Sequence, residues 1–97
     1  MTLESKIDRH FTEKVRRNLN GMVVKLAPTT VGVPDRLVLL PGGRIFLVEL
    51  KSETGRLTPK QEHWHGLAAE VGTIVTVLHG REEVDQWVSQ QSSGKPC

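Results

Sequence analysis

Two acids and a lysine stand out for their spacing. Asp35 closes the stretch "GVPD", and Glu49 and Lys51 end the apolar run "RIFLVELK". Two carboxylates brought together, with a backbone carbonyl beside them, form a hard oxygen site that suits Mg²⁺ or Mn²⁺ and does not suit zinc. A lysine one pleat along on the same face can polarise water or stabilise charge on a phosphate in transfer. The plainer alternative is that Glu49 and Lys51 only solubilise a strand end. The chemistry depends on whether the fold brings Asp35 to Glu49.

The segment between them decides that. "RLVLL" (36–40) and "RIFLVEL" (44–50) read as strands joined by "PGG", a compact hairpin signal. A three-residue loop sets Leu40 opposite Arg44 and therefore Asp35 opposite Glu49, with Cβ atoms about 4.5–5.5 Å apart on one face. A two-residue turn would send the two acids to opposite faces. Alternation puts Ile45, Leu47, Glu49 and Lys51 on one face and Phe46, Val48 and Leu50 on the other. Such a strand is apolar on both sides, hence buried, and turns charged on one face only at its end. Like charges facing each other there destabilise the sheet and raise each other's pKa unless a cation sits between them.

The other elements must hold this hairpin. Leu3, Ile7, Phe11, Val15 and Leu19 recur every four residues, the stripe of an amphipathic helix that "NG" at 20–21 ends. "MVVKL" (22–26) reads as a short strand and "APTTVGVP" (27–34) as a loop. Thr58 and Pro59 start a second helix, with Gln61 three after the cap, and it should stop near Gly72. "TIVTVL" (73–78) is a β-branched strand, and "REEVDQWVSQ" (81–90) a last helix. The order α-β-β-β-α-β-α is that of an α/β domain, a mixed sheet with flanking helices. The crossover into the last strand should be parallel and right-handed. Residues 1–90 form a single domain, and 91–97 a flexible tail.

Ninety-seven residues, 37% hydrophobic and 25% charged, make one domain near the lower size limit for burying its own core, so self-association is a natural expectation. The polar start "MTLESKIDRH" is no signal peptide, and no apolar run reaches the roughly 20 residues of a membrane helix. A lone cysteine, Cys97, fits a reducing intracellular setting. The net charge of +2 is uneven: residues 1–60 hold 11 Lys/Arg against 6 Asp/Glu, and residues 61–97 hold 2 against 5. A basic N-terminal part points to a polyanionic partner.

"PD" followed thirteen residues on by "ELK" resembles the signature of the PD-(D/E)XK nucleases, metal-dependent phosphodiesterases with a restriction-endonuclease-like core. "GVPDRLVLLPGGRIFLVELK" followed by "GRLTPKQEHW" is similar to the virus-type replication-repair nuclease domain, VRR-NUC, over roughly residues 3–79. The resemblance implies an endodeoxyribonuclease using Mg²⁺ or Mn²⁺. For small stand-alone domains, often phage-encoded, it implies a cytoplasmic homodimer that cuts four-way (Holliday) DNA junctions. Fused relatives act as monomers on flaps, so flap, branched or non-specific DNA remains an alternative substrate.

The same resemblance assigns metal binding to Asp35, Glu49 and the Leu50 carbonyl, and makes Lys51 the catalytic lysine. It offers Glu4 as an acid from the first helix, with Asp8 one turn on as a second candidate. It gives Gln61 a role beside Lys51 or the attacking water; a capping box requires a glutamine at the same place, and both readings stand. Lys14, Arg16 and Arg17 on the first helix, with Arg36, Arg56 and Lys60 near the site, are expected to line the DNA face. The first helix and the hairpin are the expected dimer surfaces. His63 and His65, two apart on a helix, make a poor metal pair, and Trp64 and Trp87 read as core or interface anchors. Two rival functions remain. A non-catalytic nucleic-acid-binding module of this fold should lack one of Asp35, Glu49 and Lys51, and all three are present. In an interaction domain the acidic pair would be accidental, with no saturable metal site.

Overall fold

The computed structural model describes residues 3–27 and 29–93, with the side chains at positions 3, 4 and 93 outside the described set. Its elements are α1 (Leu3–Leu19), β1 (Met22–Lys25), β2 (Arg36–Leu40), β3 (Arg44–Lys51), α2 (Pro59–Glu70), β4 (Thr76–His79) and α3 (Gly80–Ser93). The strands lie in the order β1-β2-β3-β4. The first three are antiparallel neighbours, and β4 runs parallel to β3. A parallel neighbour cannot be reached by a tight turn, and α2 fills the crossover.

The periodicity of the chain explains the layers. The four-residue stripe of α1 puts Ile7, Phe11, Val15 and Leu19 on one side, and all four are buried. They meet Val38, Leu40, Val48, Leu50 and Leu78 from one face of the sheet and Val84, Trp87 and Val88 from α3. The Trp87 ring stands edge-on to Phe46 at 5.2 Å and tilted to Phe11 at 5.7 Å, tying both helices to the sheet. Asn20 at φ 54° ends α1 in the left-handed conformation that asparagine tolerates. The apolar stripe of α1 is thus spent on the core.

The second helix follows its expected start. Thr58 accepts from the Gln61 N–H at 3.1 Å, and the Gln61 amide oxygen accepts from the Thr58 N–H at 2.9 Å. Its end explains why β4 begins late. Thr73 N–H donates to the Ala68 carbonyl and Gly72 N–H to that of Ala69, with Gly72 at φ 92°. This closing motif takes up Thr73, and the β4 ladder begins only at Thr76 opposite Val48. α3 runs to Ser93, past the expected end at 90. Arg44 of β3 holds that last turn, donating to the Gln91 side-chain and backbone oxygens at 3.3 and 3.5 Å. A cation beside the last carbonyls suits a helix end. Residues 94–97 of the expected tail lie outside the described set. No helix among the described residues is long and apolar enough to cross a membrane.

Candidate active site

The hairpin register runs from Leu40 opposite Arg44 to Arg36 opposite Val48. The loop therefore has three residues, and one step past the ladder Asp35 stands opposite Glu49. The Asp35 carbonyl accepts from the Leu26 N–H at 2.8 Å, which continues the β1–β2 pairing to that point. Glu49 is the one buried charged residue in the described core. Because side chains alternate along a strand, Glu49 and Lys51 point away from the face packed by α1 and α3, toward α2.

α2 answers with a histidine. Gln61 and His65, four apart, share one side of the helix. His65 Nε2 lies 3.6 Å from Glu49 Oε1, in a side chain only 13% exposed. That nitrogen is buried and has no hydrogen-bond partner. Burial lowers the His65 pKa, and the nearby positive charge of Lys51 lowers it further. The imidazole is therefore neutral at pH 7 and one ring nitrogen carries a lone pair.

The other acid is held differently. Asp35 is half-exposed, and its Oδ1 lies 2.6 Å from Arg36 Nη1. Arg36 Nε donates to Asp8 Oδ1 at 2.8 Å, and Lys25 Nζ comes within 3.3 Å of Asp8 Oδ2. Burial alone would raise the Asp8 pKa; Arg36 and Lys25 outweigh it and hold the carboxyl below its usual range. For Arg36, burial disfavours the charge, and Asp8 and Asp35 more than restore it. Asp8 thus anchors α1 to β1 and β2. Among the described residues no three His, Cys, Asp or Glu side chains cluster as a metal site.

The loop before Asp35 is clamped onto α2. Gly32 has φ 97°, and a Cβ there would collide with the Lys60 carbonyl and press on Trp64. Only glycine allows this close approach. The glycine of "GVPD" therefore sets the distance between the Asp35 strand and the helix that carries His65.

The expected nucleic-acid contacts divide. Arg56 and Lys60 are exposed beside the site. Arg36 is 12% exposed and engaged by two carboxylates. Lys14 lies 3.9 Å from Asp85 of α3. Arg16 and Arg17 sit in the last turn of α1, at the hairpin end of the sheet and away from Lys51. The Gln61 amide oxygen is committed to the helix cap, so a role beside Lys51 would have to use its NH₂ group. The side chain of Glu4 lies outside the described set.

Sequence reasoning missed His65, and it missed Lys6 and Arg81. These two cations flank a cleft of about 380 Å³ whose floor includes Ser52, Glu53 and Thr54, directly after Lys51. Lys6 and Arg9 share a neighbouring cleft with Arg81. The four-residue spacing from Gln61 could have flagged His65; nothing in the sequence pairs Lys6 with Arg81, which the contact of α1 with α3 brings together.

The element order is that of an α/β domain built on a four-stranded mixed sheet. The chain belongs to the VRR-NUC family: the model of the VRR-NUC domain matches residues 3–82. A curated relative, "Putative nuclease p44" of Acyrthosiphon pisum secondary endosymbiont phage 1, is 38% identical over 80 residues, covering 81% of this chain and 85% of the relative. A solved structure described as a VRR_NUC domain superposes with a TM-score of 0.83 at 32% identity, covering 92% of this chain and 97% of that one.

Proposed function

We propose that the protein is a divalent-metal-dependent DNA endonuclease of the PD-(D/E)XK type. The observation that carries this reading is the register: it sets Asp35 opposite a buried Glu49, with Lys51 two residues on along the same face. A buried carboxylate facing a neutral, unpartnered imidazole nitrogen is a poor arrangement by itself and a good one around a cation. Glu49 and His65 offer two donors to a divalent ion, and Asp35 would supply a third by turning from Arg36.

Glu49, the Leu50 carbonyl and Asp35 would hold the ion, with the Asp35 carboxylate exchanging its contact with Arg36 for it. A cation bound there would make water more acidic and neutralise charge on the phosphate. Lys51 then places a positive charge beside the phosphoryl oxygens as negative charge builds on them during in-line attack. Arg56 and Lys60, joined by Lys6 and Arg81 across the neighbouring cleft, would hold the flanking strand, so binding should weaken steeply as salt rises.

The proposed substrate is a four-way junction cut by a homodimer. One chain offers one site and can nick; a two-fold pair offers two, matching the symmetry of a junction. In this reading the partner surface would be the face of the sheet turned away from α1. There an uncharged cleft is lined by Leu37, Ile45, Leu47 and Ile74. The deciding experiment is Mg²⁺- or Mn²⁺-dependent cleavage of single strand, duplex, flap and four-way junction, with sedimentation of the free protein. Paired symmetric incisions in the junction by a dimer support the reading. A monomer cutting flaps or duplex equally well would leave a nuclease that is not a resolvase. No cleavage of any substrate with either metal would overturn it.

A further inference from the structure

The least expected atom in the site is His65 Nε2. It is buried, it lacks a hydrogen-bond partner, and it faces Glu49 Oε1 across 3.6 Å. That gap is too long for a hydrogen bond. Neighbouring donors on an octahedral ion, with bonds of about 2.1 Å, lie about 3.0 Å apart, so a shift of roughly half an ångström would seat both atoms on one ion. The ring lies among Glu49 and Lys51, both identified from the hairpin alone, and its position is fixed from an independent element, α2. The α2 cap at Thr58 and the Gly32 clamp lock that helix against the loop leading to Asp35.

We propose that His65 ligates the divalent cation directly through Nε2, beside Glu49, and that this nitrogen donor makes the site prefer Mn²⁺ to Mg²⁺. The inference rests on the metal-site reading above. Imidazole is a good ligand for first-row transition ions and a poor one for Mg²⁺, whose preferred donors are oxygens. The structure brings two donors together, His65 and Glu49; Asp35, held by Arg36, and the Leu50 carbonyl would have to join them, with water and phosphate, once an ion is bound.

The test uses the full chain without DNA. Mn²⁺ and Mg²⁺ are titrated by calorimetry into wild type, His65→Ala, His65→Gln and Glu49→Gln, each first checked for an intact fold by circular dichroism. Electron spin echo spectra of the Mn²⁺-loaded proteins report directly on a bound imidazole. We expect nitrogen modulation in wild type and none in either His65 variant. Mn²⁺ affinity should fall about tenfold or more in both, while Mg²⁺ affinity changes less than about threefold. Saturable Mn²⁺ binding that Glu49→Gln removes, with no nitrogen modulation in wild type, would overturn the role of His65 and leave the metal site standing. No saturable binding of either ion to wild type would overturn both.

Discussion

The two faces of the sheet differ more than any two elements do. Under α1 and α3, Val38 and Val48 are fully buried, and an aromatic set of Phe11, Phe46 and Trp87 closes over them. Under α2 the cover is thin. That helix buries only Ala68, Ile45 and Ile74 stand 64% and 74% exposed, and the buried polar atoms of Glu49 and His65 gather at one end. One face supplies stability and the other carries the candidate site. A site needs polar groups that the fold would not choose for itself, and it can carry them only when a separate face is well packed.

The largest effects should separate the two faces. Lys51→Ala should lower single-turnover cleavage about a hundredfold to a thousandfold and leave DNA affinity and melting temperature nearly unchanged. A parallel collapse of affinity would make Lys51 a phosphate anchor instead. Glu49→Gln should abolish cleavage and melt no lower than wild type without metal, because a buried charge is removed. Trp87→Ala should do the reverse. Losing its contacts with Phe11 and Phe46 should cost about 3–5 kcal/mol of stability, with cleavage by the remaining folded fraction unaltered. If chemical denaturation of Trp87→Ala matched wild type, the division between faces would fail.

Smaller effects test what joins the faces. Asp8 ties α1 to Arg36 and Lys25, and Asp8→Ala should cost about 2 kcal/mol at neutral pH, the range of a hydrogen bond to a charged group. Its sign with pH is fixed. A carboxyl held below its usual pKa stabilises the fold above the unfolded value, about 3.9, and that contribution is lost as pH falls through the depressed folded value. The gap between wild type and Asp8→Ala should therefore close in strong acid; a pH-independent gap would remove the electrostatic account. Gly32→Ala should cost about 1–2 kcal/mol for its positive φ. It should also weaken metal binding, because the loop must lift from α2. Unchanged Mn²⁺ affinity in a folded Gly32→Ala protein would uncouple the clamp from the site.

The same comparison explains what the sequence disclosed. Strict periodicity made the packed face readable: the α1 stripe and the alternation in β3 each name their buried residues. The hairpin register followed because "PGG" has one plausible length and strand alternation has a period of two. What failed to show was tertiary. β4 was placed three residues early because Thr73 and Ile74 look like strand, yet the closing motif at Gly72 claims Thr73. Arg36 read as a free cation because Asp8 lies 28 positions away. His65 read as one of a mismatched histidine pair because its partner, Glu49, sits on another element.

The smallest effect on the monomer should come from the thin face itself. Ile45 and Ile74 are mostly exposed and line one uncharged cleft with Leu37 and Leu47. Replacing either with serine removes little buried surface, so monomer stability should shift by no more than about 0.5 kcal/mol. A two-fold dimer seated on this cleft would instead lose apolar contacts twice, once from each copy, because a symmetric interface repeats every substitution. Ile45→Ser with Ile74→Ser should therefore leave the melting curve of the dilute protein almost unchanged and convert a dimer to a monomer in sedimentation. Junction cleavage should pass from paired incisions to single nicks, with the rate at each site retained. If the double variant sediments as a dimer, the partner surface lies elsewhere, and the exposed apolar residues of this face are simply the cost of a thinly covered sheet.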